Sequence, residues 1–196
     1  MTSTTRGRPR SFDREAALEQ ALRLFWERGY EATSVADLTA AMGIRPPSLY
    51  AAFGDKQTLF AEVVARYQET YGVYATRAFA EEPTARAGVE RMLRAAAALL
   101  TDPEHPWGCL LVGSTVNCTS PEIVQAVREQ REANVRALES RIRADIAAGL
   151  APAGTDAAEL AQFTATVVQG MTLRARDGAS RAELEQVATA AMRAWP

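Results

Sequence analysis

Residues 34–53 read SVADLTAAMGIRPPSLYAAF, and the rest of the chain is read outward from them. Val35, Leu38 and Ala41 lie on one face of a short helix opened by Thr33 and Ser34. Gly43 closes it, within the tight turn Met42-Gly43-Ile44. A second short helix carries Ser48, Leu49, Tyr50 and Phe53. Two short helices joined by such a turn have the spacing of a helix-turn-helix, whose second helix enters the DNA major groove. An ordinary helical hairpin has the same spacing. Pro46 and Pro47 stand at the head of the second helix. Proline is tolerated in a first turn, where its missing N–H would have no intrahelical acceptor. A residue before proline is pushed towards extended geometry. The helix is therefore expected to begin at Pro47, with Pro46 as a rigid lead-in.

Working outward, Leu18, Ala21, Leu22 and Phe25 follow helical spacing between an N-cap at Asp13 and a C-cap at Gly29. Gly54-Asp55 opens a long helix with Phe60, Val63, Val64, Tyr67, Tyr71 and Tyr74 on one side. Five further helices are expected near 84–101, 106–118, 121–148, 156–176 and 180–195. No strand alternation and no fixed repeat is present. The fold class is all-α, with about nine helices. The expected organisation is a basic arm over 1–11, a three-helix DNA-binding domain over 12–58, and a larger helical domain over 59–196 for ligand binding and dimerisation.

The 196 residues are 47% hydrophobic and 23% charged, with a net charge of −2. That balance suits a globular protein and excludes a uniformly basic nucleic-acid binder, so attraction to phosphate must come from local patches. The longest apolar runs, such as Cys109–Val112, are far short of the roughly 20 residues that cross a bilayer. The arginines of MTSTTRGRPRSFD have no apolar stretch behind them, so no signal peptide is read there and a cytoplasmic protein is expected. Cys109 and Cys118 make no disulfide framework. On one helix they would stand about 14 Å apart, beyond bridging distance. His105 is the single histidine, and no cluster has metal-ligand spacing, so neither metal nor cofactor is expected.

Three features strengthen the DNA-binding reading. Lys56, the only lysine among 22 basic residues, stands in the first turn of a helix, where lysine opposes the helix dipole but suits an incoming phosphate. Tyr50 carries a hydroxyl that can reach a phosphate, while its ring can pack at the same time. Arg6, Arg8 and Arg10 alternate with Gly7 and Pro9 in a segment that cannot build a core, an arrangement suited to a minor groove.

The stretch FDREAALEQALRLFWERGYEATSVADLTAAMGIRPPSLYAAFGDKQTLF resembles the N-terminal domain of the TetR family of bacterial transcriptional regulators. The matching residues are Phe25, Gly29, Tyr30, Thr33, Ser34, Leu38, Gly43, Ile44, Ser48, Leu49, Tyr50, Phe53, Lys56, Leu59 and Phe60. The resemblance implies a homodimeric DNA-binding protein, usually a repressor of a palindromic operator, released by a small molecule bound in the larger domain. It places Ser34 at backbone phosphate, Arg45, Pro46, Pro47 and Ser48 at bases, and Tyr50 and Lys56 at phosphates. Ala51 and Ala52 depart from the His or aromatic common at their positions, Thr39 from a small Ala, and Arg45 from a frequent Ser. Hydrogen-bonded base reading then falls mainly on Arg45 and Ser48, and the prolines offer an apolar surface, for instance to a thymine methyl.

In the larger domain, polar and aromatic side chains on otherwise apolar helices mark a candidate pocket: Tyr67, Tyr71, Trp107, Cys109, Ser114, Asn117, Phe163, Gln169 and Met171. Core packing is the better reading for any single one of them. Asn117 and Gln169 are the more telling, because a buried amide needs partners. Cys109 is a sensor of oxidants or electrophiles only with a lowered pKa and access; an inert buried cysteine is the simpler reading. Leu160, Val167, Leu184, Val187, Ala191 and Trp195 form stripes on the last two helices that suit a two-fold four-helix bundle with a second chain; internal packing against the 121–148 helix is the alternative, and each helix is expected to do some of both. The competing reading is an enzyme or carrier with a helical cavity and no DNA role; no nucleophile–base pair or phosphate-cradling glycine motif supports it.

Overall fold

The computed structural model describes residues 12–196, so Arg6, Arg8 and Arg10 lie outside the described residues. The regular structure among these residues is entirely helical. The first four helices are α1 (Arg14–Arg28), α2 (Val35–Met42), α3 (Pro46–Phe53) and α4 (Lys56–Thr70). Then come α5 (Val73–Glu81), α6 (Ala85–Leu100), the single turn α7 (Leu110–Gly113) and α8 (Pro121–Ala147). Two more, α9 (Ala157–Arg176) and α10 (Arg181–Ala191), end in a 3-10 turn at Met192–Ala194.

Side-chain oxygens open most of these helices. Asp13, Ser34, Asp55, Thr84, Ser120, Asp156 and Ser180 each accept a first-turn N–H, satisfying donors the helix cannot. Ser34 and Ser180 complete capping boxes with Asp37 and Glu183.

Three expectations are corrected. The recognition helix begins at Pro46, one residue early, with Arg45 as an extended N-cap that makes no side-chain cap bond. Both prolines fit the first turn, so neither is needed as a lead-in. The long helix after Asp55 stops at Thr70. There the Tyr71 and Gly72 N–H groups both donate to the Tyr67 carbonyl at 2.8 Å, and Tyr74 moves to α5. The helix expected over 106–118 shrinks to α7. Gly108 and Asn117 take left-handed φ angles of 86° and 58° on either side of it. Its flanking carbonyls turn outward to α1: Gly108 accepts from Trp26 Nε1 at 3.0 Å, and Ser114 from the Tyr30 N–H at 3.0 Å. Cys109 and Cys118 therefore share no helix.

Two apolar clusters hold the fold. The first joins Leu22, Phe25 and Trp26 of α1 to Leu38, Leu49, Phe53, Phe60 and Val63, and extends to Leu110, Ile123 and Val127. The second packs the α6 face Val89, Leu93, Ala96 and Leu100 against Met171, Ala175, Leu184 and Trp195. The first cluster thus continues past residue 58 through α4, α7 and the head of α8, so the helix-turn-helix rests on the larger half rather than swinging free of it.

Candidate nucleic-acid interface and regulatory core

The α2–α3 turn is built by Gly43 at φ 65°, ψ 30°. The Gly43 N–H donates to Ala40 O at 3.2 Å and the Ile44 N–H to Thr39 O at 3.0 Å, closing the end of α2. Thr39, unusual at its position, is buried, and its hydroxyl donates to the Val35 carbonyl at 3.0 Å. Beyond the turn Arg45, Pro46 and Pro47 are exposed and Ser48 is half-buried. Leu49 and Phe53 anchor the opposite face in the core. Tyr50 is 51% exposed. A helix with one apolar face locked down and the predicted reading residues outward is the geometry that groove entry requires.

Arg14, which sequence reasoning missed, fixes the far end of α3. Its guanidinium donates to both Glu62 oxygens at 2.7 and 2.6 Å and to the Ala52 carbonyl at 3.3 Å, and lies 4.4 Å from the Phe53 ring centroid. Nothing in the sequence pairs positions 38 and 48 residues apart, so only the fold reveals this clamp.

Lys56 is half-buried at the head of α4. Its ammonium sits 4.2 Å from the Tyr30 ring centroid, and burial lowers its pKa, against the nearby Glu31 charge. The Asp55 carboxylate already accepts the Thr58 N–H there at 2.7 Å. An arriving phosphate would meet the Lys56 cation rather than a vacant helix turn. The Ser34 hydroxyl is likewise engaged with Asp37, a bond that holds the Asp37 carboxyl below its ordinary value. The Ser34 hydroxyl is therefore not free.

Behind this surface, the segment 104–119 lies along α1. Arg23 donates to Glu104 O at 2.7 Å, and Thr119 donates through its N–H at 3.0 Å and its hydroxyl at 2.8 Å to the Glu31 carboxylate. Trp26 stands at the centre of an aromatic group, with Tyr67, Tyr71 and His105 at centroid distances of 4.9, 4.9 and 4.4 Å. The Tyr67 hydroxyl donates to Cys109 Sγ at 3.4 Å; burial, then the adjacent thiol, raises its pKa well above ordinary tyrosine. Burial also raises the Cys118 thiol pKa, which works against thiolate chemistry there.

The comparisons with known proteins bear on both halves. Residues 17–63 match the model of the bacterial regulatory proteins of the tetR family, and residues 85–191 that of the tetracyclin repressor-like C-terminal domain. The chain belongs to the TetR family. Among its relatives is the HTH-type transcriptional repressor ComR of Escherichia coli, 36% identical over 98% of this chain and 93% of ComR. The repressor BdcR of the same organism is 33% identical over 95% of this chain and 89% of BdcR. A cysteine-substituted form of the TetR family transcriptional regulator CifR, complexed with a 26-bp double-strand operator DNA, superposes with a TM-score of 0.91 at 45% identity, covering 97% of this chain and all of CifR. As a TetR-family member the chain is a DNA-binding transcriptional regulator.

Of the nine expected pocket residues, the TetR-family fold brings Tyr67, Tyr71 and Cys109 together. Ser114 and Met171 are buried, and Phe163 is half-buried beside the second core. Trp107 is 41% exposed. Asn117 and Gln169 are exposed, so the buried-amide argument fails for both. Asn117 turns outward in its left-handed conformation, and Gln169 falls on the solvent face of α9. An open depression of about 560 Å³ is lined by Glu82, Glu90, Arg91, Arg94 and Arg181, and a cavity of about 70 Å³ by Asp145, Thr155 and Trp195. None of the nine lines either one.

Of the expected dimer residues, Leu184, Ala191 and Trp195 are corrected to core positions of the protomer itself, with 1%, 7% and 6% exposure. Leu160 and Val167 are half-buried, and Val187 faces outward. The outward apolar side chain that sequence reasoning missed is Leu173, 61% exposed on α9. An apolar stripe alone does not say which of its members the protomer consumes.

Proposed function

We propose that this chain is a homodimeric repressor that reads a two-fold operator through α3 and is released by a small-molecule effector. The observation that carries it is the likeness to operator-bound CifR, at 45% identity and a TM-score of 0.91 over nearly the whole chain. Arg45, Pro46, Pro47 and Ser48 face the bases, Ser34, Tyr50 and Lys56 the phosphates, and Arg6, Arg8 and Arg10 the adjacent minor groove. Leu173 and Val187, beside the small residues Gly170 and Ala190, form the surface on which a second copy packs. Dimerisation is what places two α3 helices in successive major grooves about 34 Å apart. The protein acts in the cytoplasm by binding, with no catalytic step. No helix among the described residues is long and apolar enough to cross a membrane, and no group of His, Cys, Asp and Glu there is arranged to hold a metal.

The effector site lies where Tyr67, Tyr71 and Cys109 meet Trp26 and His105. Two buried polar atoms in the adjoining segment, His105 Nε2 and Ser114 Oγ, have no protein partner. His105 Nδ1 stands 3.0 Å from the Pro106 carbonyl, which only accepts. The rings of Trp26, Tyr67 and Tyr71 beside these two polar atoms support an effector with an apolar body and a hydrogen-bonding group.

The test is selection of duplexes from a random pool, followed by titration of the recovered sequence against salt. A two-fold motif, with affinity falling steeply as salt rises, is expected. Recovery of no motif, or a flat salt response, defeats the operator reading.

A further inference from the structure

Arg176 is the last residue of α9. Its side chain leaves the dimer-facing helix, runs over Gly108 and Gly113, and ends on α1. Its Nη2 donates to the Glu27 carbonyl at 2.9 Å. That carbonyl belongs to the last turn of α1, where no intrahelical donor is available and a cation suits the helix dipole. Among the described residues this is the one hydrogen bond between α9 and α1.

The path of the side chain is shaped by absence of bulk. A Cβ on Gly113 would stand 2.0 Å from Arg176 Nη1, and a Cβ on Gly108 2.8 Å from its Cγ. Apart from the Arg176 guanidinium, a Cβ at Gly113 meets nothing within 4 Å outside its own helix. Gly113 lies in a helical turn, where alanine is ordinarily preferred to glycine. The space a side chain at Gly113 would need is taken by the Arg176 guanidinium.

We infer that Arg176 is a positioning residue for operator binding: a strut through the Gly108–Gly113 gap that fixes α1, and with it the helix-turn-helix, relative to the dimer helix. Leu173 lies one turn back on α9 and faces outward, so the strut springs from the surface that sets the two-fold axis. This rests on the operator reading above. The arrangement it holds superposes on that of operator-bound CifR. Losing the strut therefore weakens operator binding and leaves random-sequence binding, which needs no fixed spacing, nearly intact.

The test is a double-mutant cycle of Gly113→Ala and Arg176→Ala in the full-length protein. The probe is the duplex that the wild type selects from a random pool. Gly113→Ala alone should evict the guanidinium and weaken that binding roughly three- to tenfold, the equivalent of one hydrogen bond. Arg176→Ala should do the same. Adding Gly113→Ala to Arg176→Ala should cost nothing further, because the added methyl then meets open space. The thermal midpoint should stay level or rise with alanine in that helical turn, an outcome a general packing defect would not give. Hydrogen exchange of residues 28–33, measured without DNA, should quicken in either single variant and no more in the double. Equal losses from Gly113→Ala in both backgrounds, or none in either, overturn the strut. If the wild type selects no duplex, the operator reading fails while the exchange cycle still decides the strut.

Discussion

Arg14→Ala is the perturbation whose size the structure sets most directly. The side chain makes a two-oxygen ion pair with Glu62, and the two side chains are 25% and 33% exposed. Partial exposure discounts that pair to about 0.5–1 kcal/mol. The cation over Phe53 adds about 0.5–1 kcal/mol. The Ala52 carbonyl bonds, at 3.3–3.4 Å, are long and add at most about 0.5 kcal/mol. The expected loss is about 1–2.5 kcal/mol, or roughly 3–8 °C in thermal midpoint for a chain of this size. Urea unfolding at fixed protein concentration measures it, since dimerisation makes stability concentration-dependent. A cycle with Glu62→Ala should return a coupling of about 0.5–1 kcal/mol. Because Arg14 ties the end of α3 to α1 and α4, exchange protection of 49–53 should fall before that of 59–67. A loss below about 0.3 kcal/mol, or equal loosening of α3 and α4, would refute the claim that Arg14 clamps the recognition helix.

Two further outcomes follow from particular contacts. The Thr119 bonds hold the Glu31 carboxyl below its ordinary value. Stability from them is fully present above the unfolded glutamate pKa and is lost as pH falls through the folded value. Glu31→Gln should therefore be less stable than wild type at pH 7, with the gap closing in acid; a gap that widens in acid would contradict this. On the outer face of α9 and α10, Leu173→Glu with Val187→Glu should shift the chain from dimer to monomer in sedimentation while leaving the helical signal intact. A dimer that survives both charges places the interface elsewhere.

The fold was legible wherever capping and periodicity agreed. Asp13, Ser34, Gly43 and Asp55 punctuate the sequence as they punctuate the structure, because each acts on its own backbone within a few residues. The irregular 104–119 segment was not legible. Its apolar spacing is helical, yet Gly108 and Ser114 spend their carbonyls on α1, residues distant in sequence. The double proline was read one residue late, because the geometry of Pro46 suits either a lead-in or a first turn. The exposure of Arg45, Pro46 and Pro47 agrees with their expected outward placement, with Leu49 and Phe53 burying the opposite face of α3. Arg14, Arg176 and the Trp26–His105 stack did not, for they are pairings of the folded chain alone. Lys56 was found for its position, but its seat over Tyr30 needed the structure.

We propose that Arg45, at the head of a helix that opens with two prolines, reads a base. The measurement that tests it is the ratio of affinities for the selected duplex and a scrambled duplex, in wild type and Arg45→Ala, at one salt concentration. A base contact predicts a ratio lower by roughly 5- to 150-fold in the variant, about 1–3 kcal/mol, with scrambled binding little changed. Equal weakening on both duplexes would make Arg45 a phosphate contact and refute base reading there.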